Sequence, residues 1–367
     1  MIRNYRHSVR VSSEGNGESE IRRLVFVVGT GRNGSTALSE IMCLHPDVMS
    51  LSEFFSSIEM ELVPEALLNG EEFWKLLASC DTLWNRLLRN GVAAPEILYP
   101  RGRGRRYDAH TTGIPAVCLT TLPHLAEDPD LLFDRLCSVV SGWPQRASSG
   151  QFRALFALLC RQFDRRVVVE RSGYSLPWLP LLHRCFPDAR VVHLYRSGPD
   201  CALSMSRHPT FRTVVLLRQI FSYAGVSRLS DMTPQHVWGL PADLAWFFEE
   251  SFDPELLTER RIPLVDFGKL WSQTVVRGVR DLAAIAQEQR LVIAYEDLVD
   301  RPEEELRRLA EFAGVAARPD WLAGGCAVLD ASRRGASDRL PKRELAALRT
   351  ACSSGTRALQ RSLAVTS

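Results

Sequence analysis

Lysine is almost missing from this chain: among 367 residues only Lys75, Lys269 and Lys342 occur, so nearly all positive charge is arginine. A GC-rich genome explains that bias as readily as anion recognition does. The 45 basic residues face 43 acidic ones, a formal charge of +2, which gives no support for general nucleic-acid binding. No CxxC pair occurs among the nine cysteines, and nine is odd; a disulfide framework or a zinc site is therefore not expected, and reduced thiols are. The first twenty residues lack the apolar stretch of a secretory signal, and no apolar run approaches the length of a membrane span. These absences lead to the expectation of a soluble, cytoplasmic protein without a transmembrane segment.

What is present is a rhythm. Residues 1–20 cluster Gly, Ser, Asn and Glu and are expected to be a disordered leader, followed by one domain over 21–350 and a tail over 351–367. The apolar run 24–28 predicts a strand and 35–44 a helix, which ends at His45 because Pro46 disfavours helix in the residue before it. "DVMSLSEFF" predicts a second strand ending near Glu53. Residues 55–165 look mostly helical, an insertion or cap broken around "RGRGRRYDAHTTGIP". Strands return at 166–171, 189–196 and "RLVIAYE", separated by helices that include a long one over 266–288. Apolar strands alternating with helices predict an α/β fold with a parallel sheet covered on both faces.

Two stretches carry chemistry. "GTGRNGSTAL" follows the first strand directly: Gly29, Gly31 and Gly34 permit a tight turn and close backbone approach to an anion, with Arg32, Asn33, Ser35 and Thr36 among them. The sequence leaves open an ordinary strand-to-helix turn with a Ser or Thr cap. A nucleoside-triphosphate loop needs a lysine just before the Ser/Thr, where this chain has Gly34. In "VVHLYRSGPDCALSMSRH", Arg196 ends a strand and Ser204 lies eight residues on, in the next helix; together they suit one phosphate, and separately they are a surface arginine and a helical serine.

Together these stretches resemble the family of sulfotransferases that use 3′-phosphoadenosine 5′-phosphosulfate (PAPS). "GTGRNGST" is similar to that family's 5′-phosphosulfate loop, and "RVVHLYRSGPDCALSMSRH" to its 3′-phosphate segment, with Arg196 and Ser204 on the two phosphate contacts. "VVVERSGYSLPWLPLLHRCFPDARVVHLYR" and "LVIAYEDLVDRPEEELRRLAEFAGV" resemble its flanking units, so that the likeness covers roughly 24–54, 166–208 and 290–335. The resemblance implies a P-loop-type parallel sheet with a helical insertion, PAPS as co-substrate, adenosine 3′,5′-bisphosphate as product, and no metal. Such a donor explains the missing lysine, since no triphosphate–magnesium unit has to be held.

It also implies roles. Glu53 falls on the glutamate that some members use as general base, and its alternative is a solvated residue opening a helix; His45 is a rival. Arg171 stands where the family often has a lysine at the transferring group, and its alternative is an ion pair with Glu170 or a neighbour. Arg32 is a second candidate for that cationic role. "SRRGASDRL" resembles a late basic loop over the 3′-phosphate, giving Arg333, Arg334 and Gly335. The acceptor is expected to be a hydroxyl of a small molecule or glycolipid, and its identity and the oligomeric state are not legible. A P-loop kinase or NTPase, or a nucleotide-binding protein without catalysis, are the other readings of the same motifs.

Overall fold

The computed structural model describes residues 21–60, 62, 65–100 and 105–366. The expected leader and part of the "RGRGRRYD" loop lie outside those residues.

Five strands form one parallel sheet: β1 (Arg23–Val28), β2 (Val48–Ser52), β3 (Val167–Arg171), β4 (Arg190–Tyr195) and β5 (Arg290–Ala294), in the order β2-β3-β1-β4-β5. The connecting helices are α1 (Ser35–Cys43) after β1; α2 (Gly198–Ser206), α3 (Pro209–Ala224) and α4 (Leu264–Leu282) after β4; then α5 (Pro302–Ala313), α6 (Pro319–Val328) and α7 (Lys342–Thr366). The strands are almost uniformly apolar because both faces are covered. Leu24, Phe26, Met49, Leu51 and Val168 pack against the insertion, whose Phe152 and Phe156 meet Phe54 and Phe55. Val25, Val27, Val167, Val169 and Val192 alternate to the opposite face, under α1, α5 and α6.

The expected elements are found where the periodicity put them, to within a few residues, save that the long helix expected over 266–288 ends at Leu282. The insertion is helical as expected, with helices such as Gly70–Leu77, Pro129–Val140 and Ser148–Phe163, tied by a two-residue antiparallel pairing of Leu67–Leu68 with Arg146–Ala147. One expectation is corrected. Residues 351–366 are not a tail but the continuation of α7, which buries Leu348, Cys352 and Leu359 against α4. The reason lies in α4: Gly268 admits Leu348 and Cys352, and Ser272 Oγ accepts a hydrogen bond from the Gly355 N–H at 2.8 Å. Among the described residues no helix is long and apolar enough to cross a membrane, and no group of three or more His, Cys, Asp or Glu is placed to hold a metal ion.

The register decides where function can reside. Ser52 and Val27 both lie opposite Arg171, and Tyr195 opposite Ala294, so the strand ends line up along one carboxyl edge. Open parallel sheets bind ligands at that edge.

Candidate active site

The turn from β1 to α1 occupies the middle of the edge. Gly31 has φ 73° and Gly34 φ 93°, and a Cβ on Gly34 would stand 2.3 Å from Cδ2 of Tyr295. Gly34 is the helix cap, with no side-chain cap bond, so neither Ser35 nor Thr36 spends its hydroxyl as an N-cap. Asn33 is buried and donates from Nδ2 to the Leu194 carbonyl, stapling the turn to β4. The arrangement is a helix N-terminus whose backbone donors face the sheet edge, a ready anion site.

Two residues on this edge have left-handed backbones without being glycine: Arg32 (φ 56°) and Glu53 (φ 53°). Such conformations cost on the order of 1–3 kcal/mol each and persist where the surroundings impose them. Glu53 follows β2, its N–H still pairing with the Arg171 carbonyl at 2.7 Å. Its carboxylate is buried. Arg171 Nη1 donates to Oε1, and the Gly173 N–H lies 3.1 and 3.0 Å from the two oxygens. Arg171 Nη2 also donates to Ser52 Oγ at 2.7 Å. Burial pushes the Glu53 carboxyl above its ordinary value, against the pull of Arg171. One residue along, burial pushes Glu170 up to about 7, although the Ser172 hydroxyl and the Phe55 N–H donate to it.

On the other side of the turn, Arg196 reaches Asp200 Oδ2 (3.3 Å) and the Arg32 carbonyl (3.5 Å) and lies over the Tyr295 ring, 4.8 Å from its centroid. Ser204 Oγ accepts from Arg32 Nε at 3.1 Å. Arg32, Arg196 and Ser204, from three different elements, therefore meet. The late loop is docked here too: Asp200 accepts from the Gly335 N–H (2.8 Å) and the Ser337 N–H (2.9 Å). Arg334 pairs instead with Asp300 at the surface, and the Arg333 side chain lies outside the described residues.

His45 is remote from this chemistry. At the far end of α1 it accepts from the Asp47 N–H and pairs with the Ala316 carbonyl at 2.9 Å, so both ring nitrogens are occupied. Three site residues escape the sequence reading. Asp200 resembles any acid in a first helical turn, Glu96 is one acid in an unpatterned insertion, and His208 precedes Pro209 like an ordinary helix start. Yet Glu96 Oε1 stands 3.6 Å from Arg32 Nη1 and 3.1 Å from His208 Nε2. Only folding brings these together; Asp200, four residues after Arg196, had a weak local signal.

Residues 25–232 match the sequence model of the sulfotransferase family. Carbohydrate sulfotransferase 2 of Mus musculus and of Homo sapiens are each 27% identical in a 324-residue alignment that covers 83% of this chain and 55% of theirs. The chain thus spans about half the length of these curated relatives. The sulfotransferase domain of the curacin biosynthetic pathway superposes with a TM-score of 0.44 at 15% identity, over 91% of this chain and 99% of that one. The corresponding domain of the Synechococcus PCC 7002 olefin synthase gives 0.47 at 14% identity, over 95% and 98%. With a family match that runs over more than half its length, the chain belongs to the sulfotransferase family.

Proposed function

We propose that this chain moves a sulfuryl group from PAPS to an acceptor hydroxyl, leaving adenosine 3′,5′-bisphosphate. The observation that carries the reading is the meeting of Arg32, Arg196 and Ser204 beside the glycine turn, with the buried Glu53 on the neighbouring strand end. The turn from Gly31 to Thr36 would take the donor's 5′ side on backbone N–H groups and the Ser35 and Thr36 hydroxyls. Arg196 and Ser204 would take the 3′-phosphate, and the Gly335 loop, held by Asp200, would cover it.

In the reaction the acceptor oxygen forms a bond to sulfur as the bond from sulfur to the 5′-phosphate oxygen breaks, and that electron pair stays on the phosphate. Glu53 receives the hydroxyl proton. Its raised proton affinity favours that role, and Arg171 holds the carboxylate in place and supplies positive charge beside it. Arg32 is the cation best sited to meet charge on the transferring group. The names of the curated relatives make a sugar hydroxyl the first acceptor to try, with a glycolipid or other small alcohol next.

The test is transfer of radiolabelled sulfate from PAPS to a panel of sugars, glycolipids and phenols in the presence of EDTA. Transfer that persists under chelation supports the reading. Strict dependence on magnesium with consumption of ATP overturns it in favour of a kinase.

A further inference from the structure

Arg32 sits in its donor turn with a partner already at its guanidinium. Nε donates to Ser204, while Nη1 faces Glu96 at 3.6 Å. Glu96 comes from the insertion, beyond the sequence motifs, and its side chain is 18% exposed. The same carboxylate oxygen lies 3.1 Å from Nε2 of the buried His208, although the ring N–H is not aligned for a good hydrogen bond. His208 precedes α3, whose Phe211 ring closes under Gly31. Among the described residues, Oε2 of Glu96 and Nδ1 of His208 have no hydrogen-bond partner. Burial alone would raise the Glu96 carboxyl, but His208 and Arg32 outweigh it and hold the group below the ordinary carboxylate value. An anion belonging to the protein thus stands at the arginine that the donor is to use.

We propose that Glu96 is a positioning residue of the donor turn: an internal counter-anion that holds Arg32 until an anionic group of the donor displaces it, whereupon His208 becomes its partner. The inference rests on the donor reading above. A phosphate or sulfuryl group offers the guanidinium stronger, bidentate contacts than a carboxylate at 3.6 Å. Two anions left side by side would repel each other. His208 Nε2 is already within ion-pair distance of Glu96 Oε1 and makes no other hydrogen bond among the described residues. In this way the insertion, which carries no family motif, is linked to donor binding.

The experiment is calorimetric titration of the full chain with adenosine 3′,5′-bisphosphate. Removing an internal competitor should strengthen binding, whereas damage to the site weakens it. Glu96→Gln is therefore expected to bind roughly 2- to 5-fold more tightly, the range of one partly exposed ion pair. That gain should vanish when Arg32→Ala is already present. His208→Asn, checked for an unchanged melting temperature, should weaken binding several-fold because the displaced carboxylate loses its new partner. Binding by Glu96→Gln that is unchanged or weaker overturns the inference. So does a gain that persists in the Arg32→Ala background, which would mark plain charge repulsion. Unchanged binding by His208→Asn overturns the hand-over to the imidazole. If the unaltered chain does not bind the bisphosphate, the donor reading falls and takes the inference with it; binding without the Glu96 effect removes the inference alone.

Discussion

Two ion pairs stand on either side of the glycine turn, and they differ in their access to water. Arg171 and Glu53 are 4% and 8% exposed, sealed between β2, β3 and the insertion; Arg32 and Glu96 are 27% and 18% exposed, with 3.6 Å between their facing atoms. A sealed pair is costly to break, because removing one partner strands a charge in low dielectric. An open pair contributes little and exchanges partners readily. The first corner thus suits a fixed proton acceptor, and the second suits an anion that comes and goes.

That contrast can be broken at the sealed corner first. Glu53→Gln keeps the shape but cannot take the proton; turnover is expected to fall by about 10²–10⁴, with bisphosphate affinity nearly unchanged. A variant that keeps more than about a tenth of wild-type turnover removes Glu53 from the mechanism. Arg171→Ala leaves Glu53 buried without its cation, and chemical denaturation should show a loss of roughly 3–5 kcal/mol. A loss below about 1 kcal/mol would mean that the corner is wetter than its geometry implies.

The same corner makes stability depend on pH through Glu170. Its carboxyl is pushed by burial from near 4.5 up to about 7, so the native state holds the proton more tightly than the unfolded chain. That contribution is fully present below about 4.5 and is lost as pH rises through about 7, by roughly 3 kcal/mol. Denaturation midpoints of wild type should therefore decline over this window, while those of Glu170→Gln decline less; parallel curves would refute the assignment.

The smallest effect belongs to the donor side. Arg196→Ala should cost about 1.5–3 kcal/mol in bisphosphate binding and erase most of the preference over 5′-AMP, the worth of one charge-assisted contact. Equal affinity of the unaltered chain for both nucleotides would detach Arg196 and Ser204 from the 3′-phosphate.

The sheet was legible because its signal is local: five apolar runs, each followed by a turn, and a proline at the end of α1. The glycine turn, Arg196 and Ser204 were legible because backbone geometry and phosphate binding dictate residue types within short stretches. Glu96 and His208 were not, since 112 positions separate them and neither carries a local pattern. For Arg171 the sequence left a cation for the transferring group and an ion pair with a neighbour side by side. The fold supplies the ion pair, with Glu53 across the β2–β3 register rather than with the adjacent Glu170. Residues 351–366 of α7 read as a tail in the sequence because their polar composition hides one apolar stripe that only Gly268 and Trp271 of α4 explain.

The space beside Gly34 has a consequence for what this scaffold can become. The position where a triphosphate loop carries its lysine is filled by the Tyr295 ring, which also has the Arg196 guanidinium over it, 4.8 Å from the centroid. A lysine written there would meet that ring at its first carbon and, in displacing it, would dislodge Arg196 as well. The route from this site to triphosphate chemistry is therefore closed twice, by an aromatic side chain and by the left-handed backbone at Gly34. An engineer seeking to reopen it would have to change residue 295, just past β5, together with the backbone of the glycine turn.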